Sequence, residues 1–354
     1  MPAVSLVLPV FNVAPWLEQF LASLRAQTLE DYELVAVDDA SRDESRAILL
    51  RAAAADRRIR VVLHAENRGV AIARATAMSE VTGRYVAMVD PDDWMAPERL
   101  ARMVGRADAH GLDWLADNQW IHRDGSAAPL GSLLVDEPAG LARRDLRYII
   151  ERDPPGRIGY GTLKPLIRRS FLERSGITFP THMNRCDDFL FLVTIGATGA
   201  RLHLLNEPLY HYRLRPGSEV TAMSWRQTMT AMHKGNDEAI RIVGPGGDPA
   251  LLATLERRRQ AISDFAAFAE ATQALRGGAL ARGLATLAAR PMIWPLVVRR
   301  GAAWLARTWS GADPLVGALA GSGLCSVAAT KLADLTGPVR PSGLVAASCR
   351  TAET

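Results

Sequence analysis

The stretch GRYVAMVDPDDW, residues 83–94, decides how the rest of the sequence is interpreted. Its apolar run lacks polar alternation, which is typical of a strand buried in a parallel sheet. Three carboxylates follow within four residues, and ligands of open parallel sheets bind at the carboxyl ends of the strands. Asp90 and Asp92 would repel each other, and Mg²⁺ or Mn²⁺, which prefer oxygen ligands, would relieve that repulsion. An acidic turn in which Asp93 caps the following helix is the alternative.

The composition narrows the class of protein. A chain of 354 residues can form a full α/β domain with an appendage, and its net charge of +4 is too small to indicate a nucleic-acid partner. Its three cysteines form no CxxC pair, so we expect neither a zinc site nor a disulfide framework, and a reducing compartment. We find no signal peptide and no convincing membrane span, and therefore expect a cytoplasmic protein.

Alternating strands and helices precede residues 83–94. Apolar strands are predicted at 4–9, 32–37 and 59–63, each followed by a polar cluster and a helical segment. This alternation predicts a parallel, doubly wound sheet with right-handed crossovers. Farther along, residues 202–212 are predicted to form a pair of strands.

Four sequence blocks occur in order at similar intervals: LVLPVFN at 6–12, VDDASRDES at 37–45, ENRGVAIARATA at 66–77 and VDPDDW at 89–94. Over residues 4–218 the chain resembles the nucleotide-sugar domain of family 2 glycosyltransferases. It departs from the common family pattern at Phe11 for Tyr, Ala40 for Gly and Ala75 for Asn, and none of these removes a charged group. The resemblance implies an α/β fold of the GT-A, Rossmann-like type, with a mostly parallel sheet and flanking helices. We expect this domain at 1–220, a helical C-terminal extension at 221–336 and a disordered tail at 337–354.

The donor would be a nucleotide diphosphate sugar, most simply a UDP-sugar. Phe11 can stack on the base, or it can pack in the core. Asp39 or its neighbour Asp38 can accept a hydrogen bond from uracil N3, and the other can cap the following turn. Backbone N–H groups at the start of the third helix, together with Arg68 and Arg74, can hold a diphosphate. The alternative for Arg74 is a surface salt bridge. The expected donor contacts are Pro9, Phe11, Asp38, Asp39, Asn67, Arg68, Arg74, Asp90, Arg213 and Arg215.

The resemblance also assigns the reaction chemistry. It places Asp90 near the ribose and makes Asp92 a metal ligand, so that Asp90 and Asp92 form the expected metal site. Asp187 and Asp188 stand where the family has a Glu-Asp pair, whose second member is the general base. Acidic residues also complement the dipole of a first helical turn, which is the alternative for this pair. His211 could complete the metal shell, but a single histidine among aromatic residues is more often structural.

The C-terminal part of the sequence is rich in Ala, Arg and Leu. Residues 271–312 contain six arginines and no acidic residue. A helix at 294–310 would place tryptophan opposite its arginines, which suits an anionic membrane surface. We therefore expect peripheral contact with the inner membrane through 290–310, or else packing of this helix on the catalytic domain.

Together, these features predict an inverting, metal-dependent transferase that moves a sugar to a hydroxyl of a glycan or lipid-linked oligosaccharide. Inversion follows because a single displacement needs one base and no carboxylate nucleophile. One alternative is a non-catalytic nucleotide-sugar or partner-binding module, which would tolerate loss of Asp188. A nucleotidyltransferase would carry a Gly-rich loop with Lys or Arg after the first strand, and a processive polymerase a Gln-x-x-Arg-Trp motif; the chain has neither.

Overall fold

The computed structural model describes residues 1–183, 185–215, 224–276 and 279–290. Its first half alternates strand and helix: β1 (Val4–Val10), α1 (Ala14–Arg25), β2 (Tyr32–Asp38), α2 (Ser45–Ala55), β3 (Ile59–Leu63), α3 (Val70–Ser79) and β4 (Tyr85–Met88). β1 pairs in parallel with both β2 and β4, and β2 pairs in parallel with β3. Every residue of β1 and β2 is buried, as expected of strands covered on both faces. The predicted alternation is confirmed.

The next elements are β5 (Trp94–Met95), α4 (Arg99–His110), β6 (Trp114–Arg123), β7 (Pro129–Ser132), β8 (Gly140–Arg143), α5 (Leu146–Glu151), β9 (Leu166–Arg168), α6 (Arg169–Ser175), α7 (Asp187–Ala197) and β10 (Leu202–Leu214). The strands form one sheet in the order β3-β2-β1-β4-β9-β6-β10-β5, with β7 on β6 and β8 on β10. The α/β fold is as predicted. The expectation of a mostly parallel sheet needs correction to a mixed one, because β9 runs antiparallel between β4 and β6, and β5, β7 and β8 also pair antiparallel.

The predicted strand pair at 202–212 is wrong, because this segment is the single strand β10. It pairs in parallel with β6, and its register shifts on either side of Pro208. Proline has no N–H to donate to the ladder, so the strand is irregular at this residue without ending there.

A helical layer follows the sheet, as predicted: α8 (Trp225–Val243), α9 (Pro249–Arg276) and α10 (Leu280–Ala288). The helix α8 begins with a capping box between Ser224 and Gln227, and α9 packs against α5, α8 and α10. No helix within the described ranges is both long and apolar enough to cross a membrane. The amphipathic helix predicted at 294–310 and the tail predicted at 337–354 lie outside the described residues, as does nearly all of the proposed contact at 290–310.

Candidate active site

Three carboxylates at the end of β4 lie close together, as predicted. Asp90, Asp92 and Asp93 each bring one oxygen into a group in which these atoms are within 4.8 Å of one another. Asp93 accepts a hydrogen bond from the backbone N–H of Arg213 at 2.8 Å, and its other oxygen, Oδ2, is buried with no partner among the described residues. The helix-capping alternative for Asp93 is wrong, since α4 begins after Glu98 with no side-chain cap.

The charges of this cluster are unevenly compensated. Burial and the charge of Asp90 raise the pKa of Asp92, and Arg215 only partly offsets them. Burial and the charges of Asp92 and Asp90 raise the pKa of Asp93 well above its ordinary value. Burial acts on Asp90 in the same direction, but Lys164 and Arg74 outweigh it and hold the pKa of Asp90 far below its ordinary value. Asp92 and Asp93 therefore repel each other in a buried position. Such a set of hard oxygen donors with an unpaired buried oxygen fits a divalent cation.

Arg74 connects this cluster to the second pair of carboxylates. Its Nη2 donates to Asp90 Oδ1 at 2.9 Å, and its Nη1 donates to Asp187 Oδ2 at 2.8 Å and to Asp188 Oδ1 at 2.6 Å. The side chain is only 7% exposed, so the surface-salt-bridge alternative for Arg74 is wrong. One buried guanidinium thus fixes residues that are about a hundred positions apart in the sequence.

Lys164 is a site residue that the sequence analysis missed. Its Nζ lies 2.6 Å from Asp90 Oδ2 and 3.5 Å from Asp188 Oδ2, and the side chain is 4% exposed. Burial opposes its protonation, but the Asp90 and Asp188 carboxylates raise the pKa of Lys164 above its ordinary value. Its rarity is the one mark it has in the sequence, which holds three lysines among 42 lysines and arginines, and composition does not tell where a lysine packs.

Asp187 and Asp188 form the first turn of α7 but differ in exposure. Asp187 is buried at 8%, whereas the side chain of Asp188 is 32% exposed and so accessible to a substrate. Burial and the adjacent Asp188 raise the pKa of Asp187, against the effect of Arg74. These ion pairs show that the pair does more than complement the helix dipole.

The two aspartates that end β2 have different partners. Asp39 accepts hydrogen bonds from the backbone N–H groups of Arg68, at 2.9 Å, and Gly69, at 2.8 Å, and contacts His64 Nδ1 at 2.6 Å. Asp39 therefore holds the turn before α3. Asp38 is fully buried, with Oδ2 bonded to Arg46, while its Oδ1 has no hydrogen-bond partner among the described residues.

The other predicted donor contacts lie along the same edge of the sheet. Phe11 follows β1 and is 42% exposed, so the core-packing alternative for it is wrong. Pro9 is buried within β1, whereas Asn67 and Arg68 are exposed in the turn before α3. Asn67 Nδ2 donates to the backbone carbonyl of Asp39, at 3.4 Å.

The end of β10 lies over the carboxylate cluster. Arg213 Nε donates to the backbone carbonyl of Asp92, at 2.7 Å, and its Nη1 pairs with Asp124, at 2.9 Å. Arg215 Nε donates to Asp92 Oδ2, at 2.5 Å. Both arginines therefore contact the cluster, with much of the Arg213 guanidinium already bound to protein acceptors.

His211 belongs to an aromatic stack beside the cluster. Its ring stacks on Trp94 with 4.9 Å between centroids, and its Nδ1 lies 3.0 Å from His122 Nε2. Burial, with a smaller contribution from His122, lowers the pKa of His211 to about 4. The group of possible metal ligands found among the described residues does not include His211, so a structural role fits this histidine better than metal binding.

Comparison with known proteins gives a consistent result. Residues 5–172 match the family described as glycosyl transferase family 2. The chain is 33% identical over 220 residues to the succinoglycan biosynthesis protein ExoO of Rhizobium meliloti (strain 1021), covering 61% of this chain and 62% of that protein. It is 28% identical over 228 residues to the uncharacterized glycosyltransferase EpsJ of Bacillus subtilis (strain 168), covering 64% of this chain and 65% of that protein. The chain thus spans less than two thirds of the length of these curated relatives.

Solved structures show the same fold at low sequence identity. TarS 1-349 of S. aureus, in complex with UDP-GlcNAc, superposes with a TM-score of 0.59 at 22% identity, covering 72% of each chain. The mannosyltransferase PcManGT of Pyrobaculum calidifontis, in complex with GDP-Man and Mn²⁺, gives a TM-score of 0.56 at 22% identity, covering 94% of this chain and 88% of that one. The predicted GT-A fold is confirmed.

Proposed function

We propose that this chain, of which residues 5–172 match glycosyl transferase family 2, is an inverting, divalent-metal-dependent glycosyltransferase. It moves a sugar from a nucleotide diphosphate donor, a UDP-sugar, to a hydroxyl of a glycan or lipid-linked oligosaccharide during polysaccharide assembly. The name of the relative ExoO, a succinoglycan biosynthesis protein, supports the polysaccharide acceptor, and the complex of TarS with UDP-GlcNAc supports the donor. We place the reaction in the cytoplasm, at the surface of the inner membrane.

One observation carries the proposal: two groups of carboxylates share two buried cations. Arg74 and Lys164 each contact Asp90 on one side and Asp188 on the other. The metal-type cluster and the acidic first turn of α7 are therefore parts of a single site. A binding module would need the first group but would have no use for an accessible carboxylate held beside it.

The base of the donor would be recognised at the ends of β1 and β2. Asp38 Oδ1 is buried and unpaired, and an unpaired buried acceptor costs about 1–3 kcal/mol unless a ligand supplies a donor. Uracil N3–H is such a donor, and the exposed ring of Phe11 can stack on the base. Asp39 supports this site indirectly by holding the turn before α3.

The diphosphate and its metal would be bound at the carboxylate cluster. Asp92 and Asp93 would hold the cation together with Asp90, although both oxygens of Asp90 already accept from Arg74 and Lys164. The cation would neutralise the leaving diphosphate. Mn²⁺ or Mg²⁺ suits these oxygen ligands, and the complex of PcManGT with GDP-Man and Mn²⁺ supports a metal of this kind. Arg215 and the turn at Asn67 and Arg68 would add contacts to phosphate oxygens.

Asp188 would be the general base. Its Oδ1 is fixed by Arg74 at 2.6 Å, while its Oδ2 is held only at 3.5 Å by Lys164 and so remains free to accept a proton. The acceptor hydroxyl gives its proton to Oδ2 while its oxygen attacks the anomeric carbon opposite the leaving diphosphate. One displacement of this kind inverts the anomeric configuration.

The test is hydrolysis and transfer with a panel of UDP-, GDP- and dTDP-sugars, supplied with Mn²⁺, Mg²⁺ or EDTA and with membrane lipid extract as acceptor. We expect turnover of one UDP-sugar that EDTA abolishes and Mn²⁺ restores. The Asp38→Asn variant should lose the preference for uridine while still folding. Binding of nucleotide sugars without turnover of any donor would contradict the proposal in favour of a binding module.

A further inference from the structure

We propose that the helices α8 and α9 position the general base, with Arg258 as the main positioning residue; this inference rests on the proposed function of Asp188. Residues 225–290 lie outside the segment that matches the family. Two independent contacts carry the inference, one from each helix.

The first contact is made by Arg258, on α9. Its side chain is only 5% exposed, its Nη2 pairs with Asp153 Oδ2 at 2.8 Å, and its guanidinium lies 3.9 Å from the ring centroid of Phe189. Phe189 directly follows Asp188 on the first turn of α7. A charge buried this completely is costly unless it is paired, so the ion pair and the ring contact fix α9 against that turn.

Asp153 extends this contact toward the site. Its Oδ1 accepts a hydrogen bond from the backbone N–H of Gly161 at 3.2 Å. The backbone at Gly159 also packs directly on Asp153, since a Cβ added at Gly159 would lie only 2.6 Å from the Cα of Asp153. The loop held in this way leads directly to Lys164. Tyr160 and Gly161 line, with Lys164 and Asp188, a small cavity of about 20 Å³. Arg258 therefore supports both the turn that carries the base and the loop that carries its lysine partner.

The second contact is made by Gly235, on α8. A Cβ at this position would lie 2.7 Å from the Cβ of Cys186, closer than side chains can pack. Cys186 precedes Asp187, and it has a left-handed backbone with φ of 60°. A non-glycine residue in this conformation is held there by its surroundings. We infer that the close approach of α8 fixes the start of α7.

Together, the two helices hold the residues on either side of Asp187 and Asp188. The proposed donor-binding residues, in contrast, lie at the ends of β1, β2, β4 and β10 and in the turn before α3, away from the first turn of α7 in the sequence. Loosening the contacts of Arg258 and Gly235 should therefore misplace the base without weakening donor binding. A displacement of the reacting groups by about 1 Å can lower a rate by about 10²-fold.

The experiment compares Arg258→Met and Arg258→Lys with wild type in the full chain. The matched control is Arg259→Met, since Arg259 is the next residue, is 42% exposed and pairs with Asp237 on α8. We expect Arg258→Met to speed hydrogen exchange at 153–163 and 185–192 but not at 32–46. It should lower kcat for UDP-sugar hydrolysis by about tenfold to 10²-fold, with KM changed less than about twofold. Arg258→Lys should recover part of the loss, and Arg259→Met should behave as wild type.

A second pair of variants decides the matter if Arg258→Met does not fold. Gly235→Ala raises the helix propensity of α8 but forces Cys186 to move, so it should lower kcat without unfolding the protein. Adding Cys186→Gly removes the clashing Cβ and suits a left-handed backbone, so the double variant should recover activity.

Unchanged hydrogen exchange and unchanged kcat in both Arg258→Met and Gly235→Ala would overturn the inference that α8 and α9 position the general base. A wild-type protein that turns over no donor would instead overturn the proposed function, and the exchange measurements would still decide whether α8 and α9 hold the first turn of α7.

Discussion

Asp93 is the residue at which stability and the proposed metal binding conflict. Its carboxylate is buried beside Asp92 and Asp90, and burial and both neighbours raise its pKa. A folded-state pKa above the unfolded value means that the charged form costs stability at neutral pH, and that stability is regained as pH falls through the raised pKa. Asp90 is the opposite case, since its lowered pKa contributes stability that is lost only under far more acidic conditions.

The Asp93→Asn variant should therefore be more stable than wild type without metal, while its metal binding is weakened. The amide oxygen of the new side chain would still accept from the Arg213 N–H, but the neutral amide would not repel Asp92. We expect the Tm in EDTA to rise by about 2–4 °C for each 1 kcal/mol regained. The Tm increase that Mn²⁺ gives to wild type should shrink in the variant. Differential scanning calorimetry measures both, with the exposed Asp237→Asn as control; a lower Tm in EDTA would contradict this account of the cluster.

Lys164 tests whether the two carboxylate groups depend on shared cations. Lys164→Met leaves Asp90 and Asp188 with Arg74 alone. Breaking a buried ion pair typically costs about 3–5 kcal/mol, so urea unfolding should show a large loss of stability. We also expect kcat for donor turnover to fall by at least about tenfold. Lys164→Arg should retain more of both, and Lys234→Met, on the exposed side of α8, should change neither. Full activity in Lys164→Met would show that Asp188 works without this partner.

Site residues of two kinds differ in how far the sequence predicts them. The sequence identifies clustered carboxylates at the ends of elements, because such a cluster is visible in the local pattern. These residues are Asp90, Asp92, Asp187 and Asp188. The sequence does not identify Lys164, because this residue reaches the site only through the insertion of β9 between β4 and β6. That antiparallel pairing is long-range, and no local periodicity signals it.

Among the elements, the joint between β2 and α3 depends on Asp39. Its carboxylate accepts from two backbone N–H groups at the turn before α3 and contacts His64. The choice between Asp38 and Asp39 could not be made from sequence, because adjacent strand-end aspartates have the same chemistry. It follows from which side chain the turn encloses.

Asp39→Ala should destabilise this turn, because it removes the acceptor for the N–H groups of Arg68 and Gly69. Hydrogen bonds to a charged group contribute about 1.5–3 kcal/mol each, so we expect a loss of at least about 2 kcal/mol in the free energy of unfolding. Donor KM should rise as well, because in the proposed site this turn presents Asn67 and Arg68 to the diphosphate. Asp43→Ala is a matched control, since Asp43 also accepts from backbone N–H groups, those of Ala14 and Ser45, in a more exposed place. Equal losses in the two variants would mean that Asp39 is an ordinary loop cap.

For the whole molecule, the sequence predicted the α/β alternation well because buried parallel strands leave an unmistakable apolar signature. It predicted β10 as two strands because Pro208 is a turn signal in sequence, whereas the parallel pairing with β6 carries the strand past it. It treated the helical extension as an appendage because a helix pattern does not reveal what the helix packs against. The contacts of Arg258 with Phe189 and of Gly235 with Cys186, at the start of α7, appear only in three dimensions.

The proposed function requires that one site bind the donor at the ends of the parallel strands and remove the acceptor proton with Asp188. The most direct measurement follows UDP-sugar turnover by Asp188→Asn, with UDP and Mn²⁺ binding measured on the same protein by calorimetry. We expect kcat to fall by about 10²–10⁴-fold while the UDP affinity stays close to that of wild type. Turnover at the wild-type rate in this variant, or loss of UDP binding together with turnover, would contradict it.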